Sequence, residues 1–276
     1  MPSALLIAGP TASGKTALAV AMAKALGGSV LNADSMQVYR DLFVLSARPD
    51  VGEQDGVDHH LFGHVDGTTN YSVGKWRADA ARIIDEIHAL GHIPIITGGT
   101  GLYFKSLLHG LSDIPPVPDE VRQRVRLRAE STAPEVLHGQ LLQADPILAQ
   151  KIKPGDQQRI IRALEVFEAT GQPLSSFQDK RGDPVLQAKD CIAVFLAPDR
   201  AVLRERINQR FDRMVESGAV DEVRILAERG LDPQLPVMRA HGVPGLLAWL
   251  RNEATMAEAI ERGKGDTRRY AKRQFT

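Results

Sequence analysis

Short apolar runs alternate with longer amphipathic stretches in the first part of the chain, which predicts strands alternating with helices. Ala4-Leu5-Leu6-Ile7-Ala8, Ser29-Val30-Leu31-Asn32-Ala33 and Ile93-Pro94-Ile95-Ile96-Thr97 are apolar runs of strand length. Pro94 stands near the start of its run, where a strand tolerates it. Between the runs, Ala17 to Leu26 is rich in good helix formers, and Tyr71 to Leu90 carries Trp76, Ala80, Ile83, Ile84 and Ile87 at helical spacing. Ser46 to Thr69, rich in Asp, Gly and His, reads as loop, and Leu102 to Leu108 as helix. The proline-rich Ser112-Asp113-Ile114-Pro115-Pro116-Val117-Pro118 marks a boundary. The chain beyond it is helical to about Phe177, without strand signal. Asp190 to Leu196 then restores a strand, and Arg200 to Ser217 reads as a helix with Leu203, Ile207, Phe211 and Met214 as its apolar stripe. The expected architecture is an α/β core over 1-111 and 184-276, a parallel sheet flanked by helices, interrupted by an all-helical insertion over 112-183.

The first strand runs into Gly9-Pro10-Thr11-Ala12-Ser13-Gly14-Lys15-Thr16, a G-x-x-x-x-G-K-T phosphate-binding loop that leads directly into a helix. Gly9 and Gly14 permit turns that a Cβ would block. The loop N–H groups and the helix N-terminus then face an anion. Lys15 adds a positive charge for the terminal phosphate, and the Thr16 hydroxyl is placed to bind Mg²⁺. Such a loop makes the core P-loop NTPase-like and is shared with nucleotide- and ATP-binding proteins.

Two further strand ends carry chemistry. Ligands of open α/β sheets bind at the carboxyl ends of strands, so Asp34, just past the second strand, faces the same cleft as the loop. The plainer reading is that Asp34 caps a helix. Ser35-Met36-Gln37-Val38-Tyr39-Arg40 adds polar groups beside it. The third strand enters Gly98-Gly99-Thr100-Gly101, a second glycine turn before a helix, delivering N–H groups and the Thr100 hydroxyl to the cleft edge or forming a plain tight turn.

In the insertion, Arg122, Arg124, Arg126 and Arg128 put positive charge on one helix, which suits a polyanion or a solvated face. In the helix from Asp156 to about Thr170, Ile160, Leu164 and Phe167 form a buried stripe, with Gln158, Arg162 and Glu165 roughly opposite. That polar face meets nucleic acid or water. After the insertion, Arg210 falls about 20° from Leu203 at about 100° per residue, so it lies beside a buried stripe and needs an anionic partner. It is either an anion clamp for the phosphate loop or half of an internal salt bridge. Arg262 to Thr276 is locally basic, with Arg262, Lys264, Arg268, Arg269, Lys272 and Arg273 around Tyr270, which stacks or packs.

Composition narrows the picture. The 276 residues carry 34 Lys+Arg against 34 Asp+Glu, so any nucleic-acid partner is held by local patches. The single cysteine, Cys191, excludes an internal disulfide framework, suits a reducing compartment and is expected to be a small core residue within Cys191-Ile192-Ala193-Val194-Phe195-Leu196. No apolar run reaches the length of a membrane span, and the N-terminus, entering a strand at once, shows no secretory leader. His59 and His60 are adjacent and would point to opposite faces of a strand, so local polar contacts are expected rather than a shared metal ion.

Taken in order, the motifs resemble the bacterial tRNA dimethylallyltransferases along nearly the whole chain. The carrying segments are Gly9 to Thr16, Asp34-Ser35-Met36-Gln37-Val38-Tyr39, Gly98-Gly99-Thr100-Gly101-Leu102-Tyr103, Gln158-Arg159-Ile160-Ile161-Arg162-Ala163-Leu164-Glu165-Val166, Gln209-Arg210-Phe211-Asp212 and Thr267-Arg268-Arg269-Tyr270-Ala271-Lys272-Arg273-Gln274. The resemblance implies transfer of a dimethylallyl group from dimethylallyl diphosphate to N6 of the adenosine just 3′ of the anticodon. It implies Asp34 as general base, with Lys15, Arg210 and a Mg²⁺ on Thr16 holding the diphosphate in the Gly9-Pro10-Thr11-Ala12-Ser13-Gly14 loop. It further implies tRNA contacts from Asp34, Ser35, Met36, Gln37, Thr100, Arg122, Gln158, Arg159, Ile160, Ile161 and Arg162. A monomer in the cytoplasm, bound to the anticodon stem-loop and to no membrane, is the corresponding expectation. Two departures stand out. Arg239-Ala240-His241-Gly242-Val243-Pro244 replaces a segment that often has a Val-Gly-Tyr core, and relatives usually continue with Trp-Phe and a tail past the point where this chain stops at Phe275-Thr276. Two other readings fit the loop alone: a small-molecule kinase with a helical lid, which would phosphorylate with ATP, and a nucleotide-gated RNA-binding module, which would tolerate loss of Asp34.

Overall fold

The computed structural model describes residues 2–178 and 181–275. It divides into two compact units, Met1–Leu108 with Val185–Thr276, and His109–Pro184. In chain order the first unit begins with β1 (Ala4–Ala8), α1 (Lys15–Leu26), β2 (Gly28–Asn32), α2 (Val51–Gln54), β3 (His59–His60), α3 (Val73–Ala89), β4 (Ile93–Gly98) and α4 (Gly101–His109). The second unit holds α5 (Asp119–Glu130), α6 (Pro134–Ala144), α7 (Pro146–Ala149), α8 (Gln157–Thr170) and α9 (Ser175–Gln178). The first resumes with β5 (Cys191–Phe195), α10 (Arg200–Met214), α11 (Val220–Glu228), α12 (Val243–Leu250) and α13 (Met256–Gln274). Thr276, at the end of the basic stretch, lies outside the described residues.

The strands form one parallel sheet in the order β3-β2-β4-β1-β5. Side chains alternate across it, so Leu5 and Ile7 pack under α1 with Ala19, Ala23 and Val30, whereas Ala4 and Leu6 join Trp76, Ile83, Ile84 and Ile87 of α3 on the other face. Burial on both faces is why the strands read as continuous apolar runs. The Trp76 ring stacks on Tyr103 of α4 at 4.0 Å. Each of these large apolar side chains contributes about 1.5–3 kcal/mol on burial. Ser72 caps α3, accepting from the Lys75 N–H.

The register fixes where the functional loops emerge. Ala8 pairs with Gly98 and Asn32 with Thr97, so β1, β4 and β2 end side by side at the same level. Gly98 is required there, because a Cβ would meet the Ala33 carbonyl oxygen at 2.1 Å.

Three expectations change. The stretch 46–69 is not wholly loop: α2 forms on an Asp50–Glu53 capping box, and β3 pairs with Val30 and Leu31. Two residues are too short for a periodic signal. Cys191 is only partly buried, because β5 is an edge strand with one side of its ladder open, and Ile192 and Phe195 are 52% and 49% exposed. The helix from Arg200 ends at Met214, and the chain bends at Ser217 and at Gly218, whose φ of 106° suits glycine.

The second unit has its own core of Val125, Leu137, Leu141, Ile160, Ala163, Leu164 and Val166. Its polar helix faces turn inward. Glu165 is 2% exposed and pairs with Arg126 Nε at 3.0 Å and Arg162 at 3.5 Å, while Glu168 binds Arg124 and Arg128. Of the polar face read from sequence, Glu165 is therefore buried between α5 and α8, while Gln158 stays exposed and Arg162 partly exposed.

Candidate active site

The phosphate loop is shaped by backbone geometry. Gly9 has φ 154°, and a Cβ there would meet the Leu196 carbonyl at 2.7 Å. Ala12 and Gly14 also have positive φ, 63° and 89°. Gly14 precedes α1 without a side-chain cap, so the first N–H groups of the helix point into the loop. The Ser13 hydroxyl is buried with no partner among the described residues. An unpartnered buried oxygen and uncapped N–H groups in a glycine-lined cradle fit a bound phosphate.

Lys15 Nζ donates to the Pro10 carbonyl at 2.6 Å. Burial pushes its ammonium down to a pKa of about 8, opposed by Asp34 and reinforced by Arg210. Arg210 donates to the Thr11 hydroxyl. Among the described residues no carboxylate lies within ion-pair distance of it, so the internal salt bridge weighed from sequence is absent. Burial lowers the Arg210 pKa, with Asp34 opposing. Two deeply buried cations sharing one remote carboxylate make an anion site.

Asp34 caps no helix, because residues 35–38 form a turn and Tyr39 bridges to Val65. Its Oδ1 accepts from the Met36 N–H at 2.9 Å. Asn32, wholly buried, holds it on both sides: Oδ1 accepts from the Asp34 N–H at 2.8 Å, and Nδ2 donates to the carbonyls of Asp34 and Leu61, each at 3.0 Å. Asp34 and Arg210 line one cavity with Thr11, Met36, Leu45, Phe211, His241 and Tyr270. One end is polar and cationic and the wall is apolar, as an apolar group attached to a diphosphate requires. The rim at 43–45 is held by Glu222, whose carboxylate accepts from the Phe43, Val44 and Leu45 N–H groups.

The second glycine turn is closed. The Thr100 N–H donates to the Ala33 carbonyl at 3.1 Å, and its Oγ1 accepts from the Ser35 N–H at 3.0 Å. The Gln37 amide is occupied too, donating to the Ser46 and Ala47 carbonyls. Tyr270, the aromatic residue of the basic stretch, packs rather than stacking outward. Its ring lies 4.9 Å from that of His241, and burial, with Asp34 nearby, raises its phenol pKa. Burial likewise lowers His241, which is neutral at neutral pH; Asp266, Arg273, Asp34 and Arg269 act on it more weakly. Several basic residues of α13 are tied internally, Lys264 to Asp212, Arg268 to Glu261 and Arg269 to Asp266.

In the second unit, Gln158 and Arg159 are exposed, Ile161 and Arg162 partly so, and Arg122 pairs with Asp119. Ile160 is 0% exposed, its side chain in the core of that unit. Sequence reading missed Asn32, Glu222 and Gln274. Gln274 was named there only as the last residue of the Thr267 to Gln274 segment, with no role attached.

A parallel sheet whose first strand feeds a phosphate loop and helix defines a P-loop α/β protein. The IPP transferase family profile matches residues 37–276, and the isopentenyl transferase profile matches residues 2–63. A tRNA dimethylallyltransferase of Beijerinckia indica is 58% identical over 273 residues, covering 99% of this chain and 90% of the relative. The crystal structure of the tRNA isopentenylpyrophosphate transferase of Bacillus halodurans matches with TM-score 0.69 and 36% identity over 99% of this chain and 86% of its own. A eukaryotic dimethylallyltransferase acting on tRNA matches with TM-score 0.81 and 31% identity over 98% of this chain and 68% of its own. The chain belongs to the tRNA dimethylallyltransferase family, whose substrate is tRNA. No helix among the described residues is long and apolar enough to cross a membrane.

Proposed function

We propose that the protein transfers a dimethylallyl group from dimethylallyl diphosphate to N6 of the adenosine just 3′ of the anticodon in tRNA, acting as a monomer in the cytoplasm. The observation that carries this reading is the single cavity in which Asp34 and Arg210 share an apolar wall beside the phosphate loop.

The exocyclic amine is a poor nucleophile, since its lone pair is delocalised into the ring. Asp34 accepts a proton from N6 as the N–C bond forms, a contribution of typically about 10²–10⁴-fold. The allylic C–O bond breaks and its electron pair leaves with the diphosphate. Lys15, Arg210 and the loop N–H groups stabilise the charge that develops there. The allylic carbon gains cationic character, and the wall of Met36, Leu45 and Phe211 keeps water away. The Thr16 hydroxyl would hold Mg²⁺ beside the loop. When bound, Mg²⁺ supplies further charge neutralisation on the diphosphate. The base leaves the anticodon stack at a cost of a few kcal/mol. Arg122, Gln158, Arg159 and Arg162 of the second unit offer polar and cationic contacts to the RNA.

The test is a mass assay. Protein, Mg²⁺, dimethylallyl diphosphate and an unmodified anticodon stem-loop are incubated and digested to nucleosides. A gain of one C₅H₈ on adenosine is expected. No gain, with ATP consumed in its place, would overturn the reading in favour of a kinase.

A further inference from the structure

We propose that Gln274 is a positioning residue that ties the phosphate loop to the turn after β4 and sets the affinity for the diphosphate. Its Oε1 accepts from the Thr11 N–H at 2.8 Å, and its Nε2 donates to the Gly99 carbonyl at 3.0 Å. One planar amide therefore bridges the two turns that leave β1 and β4 at the same level. The fit is close. A Cβ on Gly99 would lie 1.8 Å from Gln274 Nε2, so only glycine admits the bridge. Thr11 is thus fixed twice, by Gln274 at its N–H and by Arg210 at its hydroxyl. Both tethers come from the chain after the insertion, and both act on the loop that cradles the anion. Ala12, the next residue, has φ 63°, a conformation that an alanine holds only when its surroundings impose it.

The amide binds the Thr11 N–H and the Gly99 carbonyl and is not among the side chains that line the cavity with Asp34 and Arg210. It acts through the loop, so its loss weakens donor binding and spares the chemical step. Identifying the anion as the diphosphate of the donor rests on the function proposed above. Gln274→Met keeps length and volume and removes both hydrogen bonds. Gln274→Glu keeps an acceptor for Thr11, loses the donor to Gly99 and adds a negative charge beside the loop.

Affinity for inorganic pyrophosphate with Mg²⁺ is measured by titration calorimetry, with melting temperature as the check on folding. Steady-state kinetics then give kcat and KM for donor and tRNA separately. Gln274→Met is expected to bind pyrophosphate about tenfold more weakly, the size of one or two neutral hydrogen bonds. KM for dimethylallyl diphosphate should rise in step, with kcat and KM for tRNA within about threefold of wild type. Gln274→Glu is expected to lose more than Gln274→Met. Unchanged pyrophosphate affinity in Gln274→Met, or a fall in kcat at constant donor KM, overturns the proposal. If the wild-type protein transfers no C₅H₈ yet pyrophosphate affinity still orders Gln, Met, Glu, the positioning role stands and the reaction assigned above falls.

Discussion

The turns after β1 and β4 leave neighbouring strands at the same level, each with glycines, a hydroxyl side chain and a helix behind it. Their groups are used in opposite ways. After β1, the Ser13 hydroxyl is buried without a partner and the first turn of α1 is uncapped. After β4, the Thr100 N–H, the Thr100 oxygen and the Gly99 carbonyl are all taken, by Ala33, Ser35 and Gln274. The first turn is built to receive an anion, and the second to hold the segment that carries Asp34. A glycine turn at a strand end is thus a site only where its polar groups have been left without internal partners.

The largest effect is expected between the two turns, at the carboxylate itself. Asp34→Asn should lower kcat by about 10²–10⁴ with tRNA affinity within about threefold, read by single-turnover transfer and filter binding. Equal losses in both would make Asp34 a binding group and erase its distinction from the second turn. At the open turn, Lys15→Ala should lower kcat/KM for the donor by about 10²–10³. The pH dependence follows from the free-protein pKa of about 8: the ammonium is charged below it and neutral above it, so donor affinity falls as pH rises through that value. Lys15→Ala should remove this limb from a plot of donor affinity against pH.

The closed turn should answer in stability. Gly98→Ala places a Cβ 2.1 Å from the Ala33 oxygen, and backbone must shift; a loss of about 1–3 kcal/mol is expected in thermal melting. Thr100→Val keeps shape but strands the Ser35 N–H, at a cost of about 1–2 kcal/mol, with a several-fold fall in turnover as the Asp34 segment loosens. A Thr100→Val enzyme that melts normally but has lost tRNA affinity would make Thr100 an RNA contact in its own right.

The sheet, the phosphate loop and Asp34 at a strand end were legible because each is written in contiguous residues. Arg210 was legible because helical periodicity alone puts it beside the Leu203–Ile207 stripe; which anion it meets was not. Glu165 was read as meeting nucleic acid or water, because periodicity cannot say that a second helix brings Arg126 to it. Asn32 sat unnoticed inside a strand. Its role comes from Leu61, which is distant in sequence and brought near by the two-residue β3. Gln274 works across 263 residues of separation, beyond any local pattern.

Asn32 has a consequence for how the sequence can vary. Its side chain makes three hydrogen bonds from full burial, and its own carbonyl accepts from Trp76 Nε1 at 3.0 Å. An aspartate there would set a carboxylate oxygen against the carbonyls of Asp34 and Leu61. A leucine would leave those carbonyls and the Asp34 N–H without partners, and a glutamine would overfill the space. In a library of every single substitution scored for growth or transfer activity, position 32 should therefore accept almost nothing but asparagine, as narrow a window as that at Lys15, although Asn32 meets no substrate.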